Sequence, residues 1–142
     1  MQRANCNPKS SVAIVTLMLQ SSLTVAPLLD MIAAQAGEAD SNRSVSPQVI
    51  SALKNNDIMR FTAAESLGGL DQSCISVGQE LEAIAGACSS TAWCLWNHLS
   101  TFHLFCGLLG PRHADFLGEI VSKHEWVCFP AGASTAVKGS QT

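Results

Sequence analysis

No stretch of this sequence is rich in basic residues. Eight Lys and Arg are scattered along 142 residues, and the formal net charge is −3. Binding along a phosphate backbone requires a clustered basic face, so nucleic acid is excluded as a partner. Charge of either sign is scarce: 13% of residues are charged against 47% hydrophobic. Such a chain buries itself rather than staying disordered. No repeat period shows, and Gly and Pro are concentrated nowhere except in loops. No close pair of cysteines of the zinc-binding type is present, and the apolar run Val12 to Leu19 is well short of a membrane span. Neither a metal nor a membrane partner is therefore expected.

The length suits one domain with a proper core. Six cysteines are present: Cys6, Cys74, Cys88, Cys94, Cys106 and Cys128. Four lie in apolar helical text, where a free thiol behaves as a small hydrophobe. A chain of this size needs no staples, so reduced thiols and a cytoplasmic location are expected. Arg3 and Lys9 before the apolar run, with Ala34-Gln35-Ala36 after it, have the outline of a secretory signal. Asp30 lies between run and site, which favours a frayed or helical leader over residues 1–24 instead.

Periodicity predicts an all-α domain of five or six helices. A short helix is expected from Val12 to Leu23, ended near Pro27. The next carries Leu28, Leu29, Ile32, Ala33, Ala36 and Ala39 on one stripe. Ser46-Pro47 opens another, with Val49, Ile50 and Leu53 inward. Gly68-Gly69 marks a tight turn with unusual backbone angles. After Asp71 or Ser73 a helix places Ile75, Val77, Leu81, Ile84 and Ala85 inward and Gln79, Glu80 and Glu82 outward. Ser89 or Ser90 caps a long helix to about Leu109, apolar nearly all round and so expected at the centre of the domain. Gly110-Pro111 ends it and starts one more helix. Glu125 to Phe129 reads as a strand, and Pro130 to Thr142 as a turn-rich end.

The order of these features resembles a known family. A Ser-Pro helix is followed by the turn Ser66-Leu67-Gly68-Gly69-Leu70 and a further helix. Ser90-Thr91-Ala92-Trp93-Cys94 then opens the long apolar helix, and Gly110-Pro111 and a Trp126 strand lead to Pro130-Ala131-Gly132-Ala133. From about Val25 to Gly139 the chain is similar to the amino-terminal helical domain of acyl-CoA dehydrogenase-type flavoproteins. It is closest to the branch that includes flavin-dependent aromatic hydroxylases. It departs from the family pattern at Ala63-Ala64-Glu65, where a Pro is usual, and at Thr101, where hydroxylases tend to carry a pocket His.

The resemblance implies a helical domain over 25–123 and the start of a β-rich middle domain over 124–142. A helical last domain would complete a homotetrameric enzyme. It implies FAD, or FMN in the hydroxylase reading, bound by domains other than this one, and a catalytic Glu in the last domain. This chain is thus expected to hold no catalytic residue. The implied substrate is an acyl-CoA oxidised at its CH–CH group, or an aromatic small molecule in the hydroxylase branch. A non-catalytic helical unit that associates with a full-length homologue is the reading from another class.

Candidate pocket residues are Trp93, His98, Thr101 and His103. A His can donate from either ring nitrogen near neutral pH, which suits it to hold a phenol or polarise a carbonyl. A core His bonded to a backbone carbonyl is the plainer reading of His98 and His103. Trp93 and Trp96 are more simply core than pocket. Ser90 and Thr91 read as helix-start residues rather than nucleophiles. Cys88, Cys94, His98 and His103 could be read as metal ligands, but only Cys94 and His98 share a face. The resemblance places Val127, Cys128 and Phe129 beside a flavin ring, with strand pairing as the alternative.

Overall fold

The computed structural model describes residues 23–129. The expected leader helix, apart from Leu23, and the turn-rich end lie outside the described residues. Within them the chain is all-α, with six α-helices and no strand. We label the helices α1 (Leu29–Ala34), α2 (Ala36–Asn42), α3 (Pro47–Lys54), α4 (Cys74–Ala87), α5 (Ser89–Leu109) and α6 (Ala114–Ser122).

Pro27 starts a 3-10 turn, Ala26–Leu28, that leads into α1. The single helix expected here is broken at Gln35, whose φ of −100° and ψ of 1° separate α1 from α2. Of the predicted stripe, Ile32 and Ala39 are buried, whereas Ala33 is exposed. Ser46 caps α3 as predicted: its Oγ accepts the N–H of Val49 at 3.3 Å, and Pro47 fills the first helical position. Val49 and Leu53 point into the core.

A 3-10 turn, Asp57–Arg60, then inserts Ile58 and Met59 into the core, and Phe61 follows. The Gly-Gly turn has two separate steric requirements. Gly68 adopts φ +83°, in the left-handed region, and a Cβ on Gly69 would stand 2.1 Å from the carbonyl oxygen of Ala63. The turn folds the chain back on itself. Asp71 donates its N–H to the Ala63 carbonyl at 2.9 Å, and Gln72 to that of Phe61 at 2.8 Å.

Ser73 caps α4, accepting the Ser76 N–H at 3.1 Å. The buried stripe of α4 is Val77, Glu80 and Ile84, which corrects the expected one. Ile75 and Ala85 face solvent, and Glu80 is only 4% exposed. The charge is tolerated inside because both carboxylate oxygens are paired. Oε1 accepts the N–H of Thr24 at 2.7 Å and Oε2 that of Val25 at 3.0 Å.

A single residue, Cys88, joins α4 to α5. Cys88 is extended and is itself the N-cap of α5, making no side-chain cap bond. The hydroxyl cap expected from Ser89 or Ser90 is not formed. A larger correction concerns α5 as a whole, which is not an interior rod. One side buries Thr91, Ala92, Leu95, His98, Leu99, Thr101 and Phe102. The other leaves Trp93 66% and Leu108 72% exposed, with Trp96 and Leu104 also open. The helices and turn that touch α5, chiefly α4, α2 and the Asp57–Arg60 turn, cover one side only.

The main core gathers Val25, Ile32, Leu53, Ile58, Ile84, Leu95 and Leu99. A smaller cluster of Ala63, Phe102, Leu117 and Val121 ties the second half of α5 to α6. Gly110 and Pro111 separate those helices as predicted.

Residues 125–129 form no strand, against expectation. No neighbouring strand exists among the described residues to take their N–H and carbonyl groups. The segment instead lies as an irregular strap against α5. Trp126 sits edge-on to His98, ring centres 5.4 Å apart, and Lys54 pairs with Glu125 at 3.5 Å.

Candidate functional site

The four pocket candidates all lie on α5, two on its buried side and two on its exposed side. At about 100° per residue, Trp93 and His103 each point roughly 140° away from His98, while Thr101 lies about 60° from it on the same buried side. His98 and Thr101 are buried, while Trp93 and His103 are exposed. These residues do not converge on one cavity.

His98 is the best defined of them, at 2% exposure. Its Nδ1 accepts the backbone N–H of Val127 at 3.1 Å. With Nδ1 accepting, the ring proton sits on Nε2, which donates to the Met59 carbonyl 3.1 Å away. Phe102 stacks on the ring from the next turn, with centres 6.3 Å apart. Burial lowers the pKa of His98 below its ordinary value; the Met59 bond opposes this, and nearby His124 adds to it. His98 is therefore a neutral, doubly engaged core histidine. It fastens the strap to the body of the domain.

The strap carries the three residues placed beside a flavin. Val127 is half-buried with its N–H engaged by His98, whereas Cys128 and Phe129 are exposed. Trp126 keeps its indole nitrogen buried without a hydrogen-bond partner. His124, at φ +48°, turns the chain into the strap and donates from its ring to the Lys54 carbonyl.

No hydrogen bond of His98 or His124 reaches a hydroxyl or thiol. Thr91 is buried and Ser90 exposed. Neither is set up as a nucleophile by an adjacent base. Five cysteines fall within the described residues and all are free thiols. Burial pushes the Cys94 thiol up, with a smaller contribution from Cys88, and burial also raises Cys106. Among the described residues no group of three or more His, Cys, Asp or Glu could hold a metal ion, and no helix is long and apolar enough to cross a membrane.

An open groove of about 440 Å³ lies between α4 and α5. Gly78, Leu81, Glu82 and Ala85 line it from α4, and Ser89, Ala92, Trp93 and Trp96 from α5. Sequence reasoning missed the groove because it treated both tryptophans as core. It also missed Glu80, although Val77, Glu80 and Ile84 stand at the spacing of one helical face. Comparison with protein-family models, with curated proteins and with solved structures gave no match to this chain.

Proposed function

We propose that this chain is the amino-terminal helical part of a flavin-dependent oxidoreductase of the acyl-CoA dehydrogenase type, acting on the CH–CH group of an acyl-CoA. The order of features in the chain motivates the reading. A Ser46-capped helix, the Gly68-Gly69 turn, the Ser-Thr-Ala-Trp opening of α5 and the Gly110-Pro111 break follow one another in one helical body.

One observation carries it furthest. Leu104 and Leu108 on α5, Phe116 on α6 and Phe129 at the end of the strap are large apolar side chains left in water. Uncovered groups of that size favour association. In this reading the β-rich and helical domains of the full enzyme cover them. FAD, held by those domains, supplies the hydride acceptor. This chain shapes one wall of the substrate pocket, and the proton-abstracting carboxylate belongs to the last domain.

The exposed imidazole of His103 favours an aromatic hydroxylase as the second chemistry, since it is free to bond a phenol. The uncovered apolar side chains equally serve a non-catalytic unit seated on a separate full-length homologue.

The test is to express the reading frame through and beyond the codon for Thr142 and record the visible spectrum of the product. A stoichiometric flavin band, bleached on adding an acyl-CoA, is the expected result. Bleaching only with a reduced nicotinamide in the presence of a phenol selects the hydroxylase. A frame that ends at once, or a product without flavin, overturns the enzyme reading and leaves the association unit.

A further inference from the structure

We propose that two copies of this chain pair through the groove between α4 and α5, each seating its Trp93 in the groove of the other. A recess and a projecting side chain lie side by side on one patch. Gly78 and Ala85 of α4 and Ala92 of α5 contribute almost no side chain to the lining, and no atom lies within 4 Å of where a Cβ on Gly78 would be. Trp93 stands on the rim, 66% exposed, with Trp96 next to it 46% exposed. The pairing calls on neither a flavin nor any further domain.

The patch matches itself. A two-fold contact uses the same surface of both partners, so a projection and a recess that fit each other must both belong to that surface. Here they do. A two-fold axis lying in the contact plane, between Trp93 and the recess at Gly78 and Ala85, carries each indole into the opposite groove in one operation. At about 440 Å³ the groove has room for a ring system of that size. The partner's Trp93 then lies against Trp96, and aromatic pairs are favoured beyond the area they bury.

Polar chemistry selects the same occupant. An indole leaving water brings one N–H that needs an acceptor. Glu82 is the one charged residue lining the groove, and its carboxylate accepts. An aliphatic side chain would cover that carboxylate without satisfying it, at a cost; an indole satisfies it. The area suits a weak pair. Taking 150–250 Å² for a whole tryptophan, the exposed parts of Trp93 and Trp96 come to roughly 170–280 Å² per copy. Matched by groove walls of similar extent in both copies, the contact totals roughly 700–1,100 Å², at the lower end of specific interfaces. Kd is accordingly expected on the order of 10–100 µM. Leu104, Leu108, Phe116 and Phe129 are not part of the groove and remain for other contacts.

Sedimentation equilibrium of the full chain between about 5 and 500 µM should show a monomer–dimer equilibrium. Trp93→Ala removes the projection and Ala85→Arg fills the recess; both positions are exposed, so both variants should fold. Each alone should weaken pairing at least about tenfold. Gly78→Arg, exposed in the same recess, takes the place of Ala85→Arg if that variant misfolds. Mixed in equal amounts, the projection and recess variants should recover part of the pairing, because the mixed dimer keeps one indole facing one open groove. A chain that stays monomeric over the whole range overturns the proposal. A dimer that Trp93→Ala leaves intact assigns pairing to another face and overturns it equally, as does a mixture that pairs no better than its components.

Discussion

Val127 donates its backbone N–H to Nδ1 of His98, and this bond fixes which tautomer the buried ring adopts. Protonating Nδ1 would set two donors against each other and release the strap. The folded pKa of His98 lies below its ordinary value of 6.5, chiefly through burial. Folding therefore favours the neutral ring. The stability His98 contributes is fully present above about pH 6.5 and is lost as pH falls through that value toward the folded pKa. Urea denaturation at pH 7.5 and pH 5 should show the loss. His98→Phe should cost about 1–3 kcal/mol at pH 7.5 and flatten this part of the acid dependence. An unchanged pH dependence in that variant would remove His98 from the account.

Glu80 should be among the most sensitive positions in the chain. Glu80→Ala strands two backbone N–H groups, those of Thr24 and Val25, and is expected to cost about 1–3 kcal/mol. Glu80→Gln retains one oxygen acceptor and should lose less. The ordering of the two variants in denaturant midpoint is the check.

The glycines separate into two kinds. Gly69→Ala drives a Cβ into the Ala63 carbonyl and should destabilise by about 1–3 kcal/mol. Gly86 lies within α4 with nothing inside 4 Å of an added Cβ. Gly86→Ala should instead stabilise by about 0.5–1 kcal/mol. Thermal melts of the two variants should move in opposite directions.

The cysteines should react in an order set by exposure. Cys74 and Cys128 are exposed, whereas the thiols of Cys94 and Cys106 are raised by burial. Alkylation at pH 7.5 followed by peptide mass mapping should modify the first two at least about tenfold faster than the second two. Buried Cys88 should come last. Rapid labelling of Cys88 would mean that the junction between α4 and α5 opens readily.

Much of the fold could be read from local chemistry. Ser46-Pro47, Ser73, the Gly68-Gly69 turn and the Gly110-Pro111 break act through their own backbone and near neighbours, so short motifs sufficed to place them. What failed depended on distant partners. Glu80 was assigned to solvent because it is charged, and nothing near it in sequence announces the amides of Thr24 and Val25, 56 and 55 residues away. Ile75 was assigned inward for the converse reason. Trp93 and Trp96 were expected in the core because a helix apolar on all sides says nothing about how many neighbours surround it. Glu125 to Phe129 has strand-like composition, yet pairing needs a second strand, and here a histidine side chain takes the amide instead. Of the candidate site, the carbonyl-bonded core reading of His98 was legible; its hold on Val127 was not.

The one-residue connection at Cys88 has a kinetic consequence. It makes α4 and α5 immediate neighbours along the polymer, so their mutual packing closes almost no loop and should assemble early. The amides bonded to Glu80 must be recruited across more than fifty residues and should arrive late. In hydrogen exchange under native conditions, the helical hairpin should be the last part to open and the region around Thr24 among the first.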